Sequence, residues 1–175
     1  MNTLPMQNQP YPYNYQNLLA DLEDYNGLTR QRARLALEDI GTLCVPDLIR
    51  KLSCSNSHAR WEAAKALAAI PDSRAAEALV NTLEDEDISV RWAAADALIA
   101  LDRFALEPLL RALTKDFSSI WLREGAHHVL HQLKKRNFLT PAESKVFEAL
   151  EHLAPEMEVP WVAEKALEEL IRSYH

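Results

Sequence analysis

The chain has 175 residues, a formal net charge of -7, 3 glycines, and alanine and leucine as its dominant residues. That length suits one domain with a sizeable core; the helix-favouring composition argues against a sheet, and the acidic balance makes nucleic acid an unlikely partner. No stretch approaches the roughly 20 apolar residues of a membrane span, and the N-terminus lacks a secretory pattern, so the expected location is cytoplasmic. Cys44 and Cys54 form no CxxC pair and are expected to stay reduced.

Residues 1–15, MNTLPMQNQPYPYNY, have the Pro, Gln, Asn and Tyr content of a disordered tail, with a linear docking motif as the alternative reading. Residues 16–175 read as a single helical domain. Leu18, Leu19 and Leu22 form a half-repeat cap over residues 16–25. Repeats then follow over 26–55, 56–86, 87–115 and 116–154, with a C-terminal capping helix in 155–175.

The register rests on Leu37, Leu67, Leu98 and Leu130, which recur at separations of 30, 31 and 32, with Leu167 after a longer gap. Four residues earlier stand Ala33, Ala63, Ala94, Ala126 and Ala163; three residues later stand Ile40, Ile70, Leu101, Leu133 and Leu170. That spacing is one buried helix face. Arg30, Arg60, Arg91 and Arg123 precede the first four leucines by seven residues, and Asn26, Asn56, Asp87 and Ser119 stand four earlier still as N-caps.

A turn at Gly41, at Pro71-Asp72 or at Asp102-Arg103 leads to a second apolar pattern: Leu48, Ile49 and Leu52; Leu79, Val80 and Leu83; Leu109, Leu110 and Leu113. In the fourth unit the turn is lengthened by Lys134, Lys135, Arg136 and Asn137. There Thr140, Pro141 and Glu143 announce a helix carrying Val146, Phe147, Leu150 and Leu153. The last helix is expected from about Pro160 to Tyr174. The architecture is thus all-α: a right-handed α-solenoid of about five hairpins and about ten helices.

The segments RWEAAKAL at 60–67 and RWAAADAL at 91–98 closely resemble the HEAT-like repeats named after phycobilisome lyases. The resemblance covers residues 18–135 well and the remainder loosely. It implies stacked hairpins whose second helices line a concave side, used for protein partners in most members and for bilin attachment in a few.

Several features could carry function. Exposed positions of the second helices offer Arg50, Lys51, Glu77, Asn81, Thr82, Glu107 and Arg111, a mixed-charge face suited to a polar protein segment. Trp61, Trp92 and Trp161 follow the arginine slot and either anchor an interface or cover the groove between repeats. The arginine ladder reads as structural, its charges compensated by Asp72, Asp85, Asp102 and Asp116.

Glu124, His127, His128 and His131 lie close together on one helix. One helix leaves a metal shell open, so they read as a surface patch and no metal or cofactor is expected. The cysteines read as small buried hydrophobes. No residue set matches a catalytic arrangement, and a non-catalytic scaffold for a protein partner is the expected role, with a bilin lyase subunit or pigment-protein chaperone as the alternative and a metal-binding protein acting through the histidine cluster as the second.

Overall fold

The structure is a computed structural model describing residues 15–115, 118–152 and 155–174. The expected tail, apart from Tyr15, lies outside the described residues, as do Asp116 and Leu153. Among the described residues there are ten α-helices and no strand. They are α1 Gln16–Asp21, α2 Gly27–Ile40, α3 Val45–Lys51, α4 Ser57–Ala69, α5 Ala76–Thr82, α6 Ile88–Ala100, α7 Leu106–Lys115, α8 Ile120–Lys135, α9 Pro141–Leu150 and α10 Pro155–Arg172. No helix among the described residues is long and apolar enough to cross a membrane.

The boundaries follow from local chemistry. Asn26, Asn56, Asp87 and Ser119 all have extended backbones, and their side chains accept from backbone N–H groups of the first turns of α2, α4, α6 and α8. These bonds satisfy donors that a helix start leaves open. Thr140 and Glu143 close a reciprocal capping box on α9. The turns exploit residues that tolerate positive φ: Gly41 at 75°, Asp102 at 51° and Asn137 at 59°. At Asn137 the chain closes a Schellman motif, with the Phe138 N–H donating to the Leu133 carbonyl at 3.0 Å and the Asn137 N–H to Lys134 at 3.0 Å.

The helices form two rows. α2, α4, α6 and α8 stack successively, while α1, α3, α5 and α7 lie against α2, α4, α6 and α8 respectively. Leu37, Leu67, Leu98 and Leu130 are at most 1% exposed, and the alanines four residues before them are equally enclosed. The small faces of α4 and α6 permit an extensive contact between these two helices. Gly125 continues this economy: a Cβ there would lie 2.8 Å from Leu83 Cδ2, so α8 could not sit as close with alanine in that place.

The C-terminal end departs from the expected pattern. α10 begins at Pro155 and carries Pro160 within it. It packs mainly against α7 and α9, and so continues the row of α1, α3, α5 and α7; α9 lies on α8. Ala163, Ala166 and Leu170 are buried as expected, but Leu167 is only half-buried because α10 does not occupy a first-helix place.

Candidate protein-binding face

The helices of the α1, α3, α5 and α7 row are less closely packed than the alanine-rich stack beside them, and three grooves run between them. One of about 500 Å³ lies between α1 and α3, lined by Glu23, Asp47, Arg50 and Lys51. The next, about 460 Å³, lies between α3 and α5, with Arg50, Asn81, Glu84 and Asp85 on its walls. The third, about 570 Å³, lies between α5 and α7 and is lined by Arg74, Glu77, Asn81, Glu107, Arg111 and Lys115, with Tyr174, just past the end of α10, at its edge.

Of the face residues expected from the sequence, Arg50, Lys51, Glu77, Asn81, Glu107 and Arg111 line these grooves. Arg50, Asn81 and Arg111 hold the same place in successive repeats. Arg50 pairs with Asp47 on its own helix, Lys51 with Glu23, and Arg111 Nη2 with Glu107 at 2.7 Å. Thr82 also lines the groove between α3 and α5, but contrary to the expected exposure it is only 6% exposed, and its hydroxyl donates to the Ala78 carbonyl at 2.7 Å. Bonding back along the helix lets this short side chain turn inward. Glu84, Lys115 and Tyr174 carry no repeat signal, and only packing brings them to the face.

The arginine ladder is structural, but through different partners from those expected. Nη1 of Arg30 donates to the carbonyls of Asp24 and Tyr25 at 2.8 and 3.2 Å, and Nη1 of Arg60 to Cys54 and Ser55 at 3.0 and 3.1 Å. Arg91 does the same to Asp85 and Glu86 at 2.7 and 3.3 Å. Each of these three arginines thus binds the exit of the preceding helix to the start of its own. Arg60 also meets an expected aspartate, Asp85, at 2.6 and 2.9 Å, which raises its pKa further. Asp72 binds Arg74 and Asp102 binds Arg136 instead.

The tryptophans lie off the grooves. Trp61 is half-buried, with Lys65 Nζ 5.9 Å from its ring centre; Trp92 meets His128 edge-on at 4.9 Å. Trp161 carries Lys165 Nζ at 3.6 Å. A fourth, Trp121, was not singled out because it stands two residues before the arginine slot; it lies beneath Arg91, whose guanidinium is 4.6 Å from the ring centre.

The histidine group divides among different surroundings. His127 and His131 stack on Phe147 of α9 at 5.0 and 5.7 Å, and His127 Nε2 is 3.5 Å from Glu151. His128 meets Trp92, and burial pulls its pKa below the usual histidine value, with Asp96 opposing. Glu124 lines a small cleft with Trp92 and Trp121. Among the described residues no three His, Cys, Asp or Glu side chains are grouped to hold a metal. The Cys44 thiol is buried, donates to the Gly41 and Leu37 carbonyls at 3.1 and 3.3 Å, and has its pKa pushed up to about 11 by burial. Cys54 is half-buried beside the first groove.

Repeated caps, a two-row stack and a repeated leucine layer describe one kind of helical array, and residues 15–99 match the sequence family described as HEAT repeats. Residues 15–99 carry HEAT repeats. No curated protein matches it. Among solved structures the chain is similar to a chain of the complex of CpcE and CpcF of phycocyanin lyase from Nostoc sp. PCC7120, with 27% identity and a TM-score of 0.58. The match covers 87% of this chain and 96% of that one.

Proposed function

We propose that this protein is a non-catalytic, protein-binding subunit, and that residues 16–175 act as one solenoid holding a polypeptide partner along the α1, α3, α5 and α7 face. The observation that carries this reading is the row of equivalent side chains, Arg50, Asn81 and Arg111, set along three consecutive grooves. Its arginines are matched by carboxylates on their own helices, so the face is nearly neutral and suits a polar protein segment better than a uniform polyanion. The match to a chain from a complex of two proteins supports a role in an assembly.

The test is affinity capture with the unaltered chain and with Arg50→Ala, Asn81→Ala and Arg111→Ala combined. Loss of a partner that the unaltered chain retains supports the face as its site; the same captured set from both proteins refutes it.

A second reading is a subunit of a bilin lyase. It is favoured by the likeness to phycocyanin lyase over nearly the whole of that chain. Mixing the protein, alone and with any captured partner, with a linear tetrapyrrole tests it. A saturable change in visible absorbance is expected on this reading, and an unchanged spectrum in both mixtures counts against it.

A further inference from the structure

Resting on that reading of the face, we propose that its occupant is an extended segment of a partner polypeptide, with a carboxylate and a cation three residues apart, laid across α5. The two grooves that flank α5 differ in charge. Between α5 and α7, three cations, Arg74, Arg111 and Lys115, face two carboxylates, Glu77 and Glu107. Between α3 and α5, one cation, Arg50, faces Glu84 and Asp85. Most of these charges are already committed: Arg74 to Asp72, Arg111 to Glu107, Arg50 to Asp47 and Asp85 to Arg60.

Among the described residues, Lys115 has no ion-pair partner in the groove between α5 and α7, and Glu84 has none in that between α3 and α5. A carboxylate of the occupant therefore belongs over Lys115 and a cation over Glu84. Asn81 stands between them, exposed, on the wall of both grooves, with no hydrogen bond from its own carboxamide among the described residues. A carboxamide offers one acceptor and two donors, which match the N–H and C=O of a crossing backbone.

The spacing follows from geometry. Packed helices lie about 8 to 10 Å apart. An extended strand rises about 3.3 Å per residue, so it passes from one groove to the next in three residues. A helical segment rises about 1.5 Å per residue and needs six or seven.

The experiment uses the full chain and fluorescein-labelled synthetic peptides of nine residues, otherwise uncharged. They carry aspartate and lysine three, two or seven positions apart, with a fourth peptide carrying two aspartates three apart. Anisotropy is expected to show binding of the three-apart Asp/Lys peptide about tenfold tighter than the two-apart and seven-apart peptides. Asn81→Ala is expected to weaken it by a similar factor.

Glu84→Lys is expected to shift the preference to the peptide with two aspartates. A change of preference reports a direct charge contact, because a variant that merely loosened the fold would weaken every peptide alike. Equal binding at all spacings, a preference for seven apart, or an unchanged preference in Glu84→Lys each overturns the proposal. Loss of captured partners by the triple variant, with no peptide binding to the unaltered chain, leaves the face as the site and refutes only the extended occupant. An unchanged captured set refutes the face itself.

Discussion

Arg60 and Asp85 are each 8% exposed and joined by two hydrogen bonds, 2.6 and 2.9 Å long. Replacing Asp85 leaves the buried Arg60 charge with only the exposed Glu86, 3.3 Å away, so Asp85→Ala is expected to cost up to about 3 to 5 kcal/mol. Arg91→Ala removes two bonds to carbonyls and, among the described residues, no carboxylate pair, and about 1 to 3 kcal/mol is expected. Urea unfolding of both variants is the measurement, and equal losses would contradict the special place given to Asp85. Leu98, fully enclosed on α6 between α4 and α8, is expected to cost about 2 to 5 kcal/mol when cut to alanine. A loss below about 1 kcal/mol would be incompatible with its position in the core. Thiol chemistry separates the cysteines: with the pKa of Cys44 near 11 and its sulfur covered, a thiol reagent at pH 8 should modify Cys54 in the folded chain and Cys44 only after unfolding. Two rapidly modified thiols in the native protein would be the contrary result. The arginine ladder was legible in the residue sequence, but its carbonyl partners were not, because every residue has a carbonyl and only the path of the chain decides which ones converge.

At the scale of the helix, the caps show how far local chemistry reaches. The four N-caps expected from spacing all accept the bonds assigned to them, because such a cap needs only residues within three positions of itself. The Asp87 cap also makes a pH prediction. Its carboxyl pKa lies below the ordinary aspartate value, chiefly because the Ser89 backbone N–H donates to the ionised form. A carboxylate with a depressed folded pKa contributes stability that is complete above the unfolded value and is lost as pH falls through the folded one. Asp87→Ala should therefore cost about 0.5 to 2 kcal/mol at pH 7, with the difference from the unaltered chain shrinking below about pH 4. Urea midpoints at pH 7 and pH 3 measure it, and a penalty that stays constant would exclude the carboxylate as its source. What local pattern could not supply is the place of α10. Its alanines and leucines repeat the first-helix spacing, yet the lengthened turn after α8 sends α9 onto α8 and leaves α10 against α7. Both arrangements bury an apolar stripe, so periodicity alone does not choose between them.

For the molecule as a whole, stability is approximately a sum over neighbouring helices, and the end of the stack matters as much as its middle. α10 covers α7 and α9 with Val159, Val162, Ala163, Ala166 and Leu170, all buried, while Glu164, Lys165, Glu168 and Arg172 remain exposed to water. The face that binds α7 is thus apolar and the opposite face is charged. A chain ending at Leu150 would uncover the α7 and α9 surfaces that these side chains occupy. Burial of Val159, Val162 and Leu170 alone corresponds to about 1.5 to 3 kcal/mol each, taken as an upper bound. At roughly 2 to 4 °C per kcal/mol for a chain of this size, the shortened protein should melt on the order of 10 °C lower. It should also bind a dye specific for exposed apolar surface, since Leu109 and Leu113 of α7 are fully buried in the intact stack. Thermal unfolding followed by circular dichroism is the measurement. An unchanged melting temperature would mean that α10 is not the cap of this array, whereas a lowered one with intact helicity up to α8 would show the remaining repeats holding together by their own contacts.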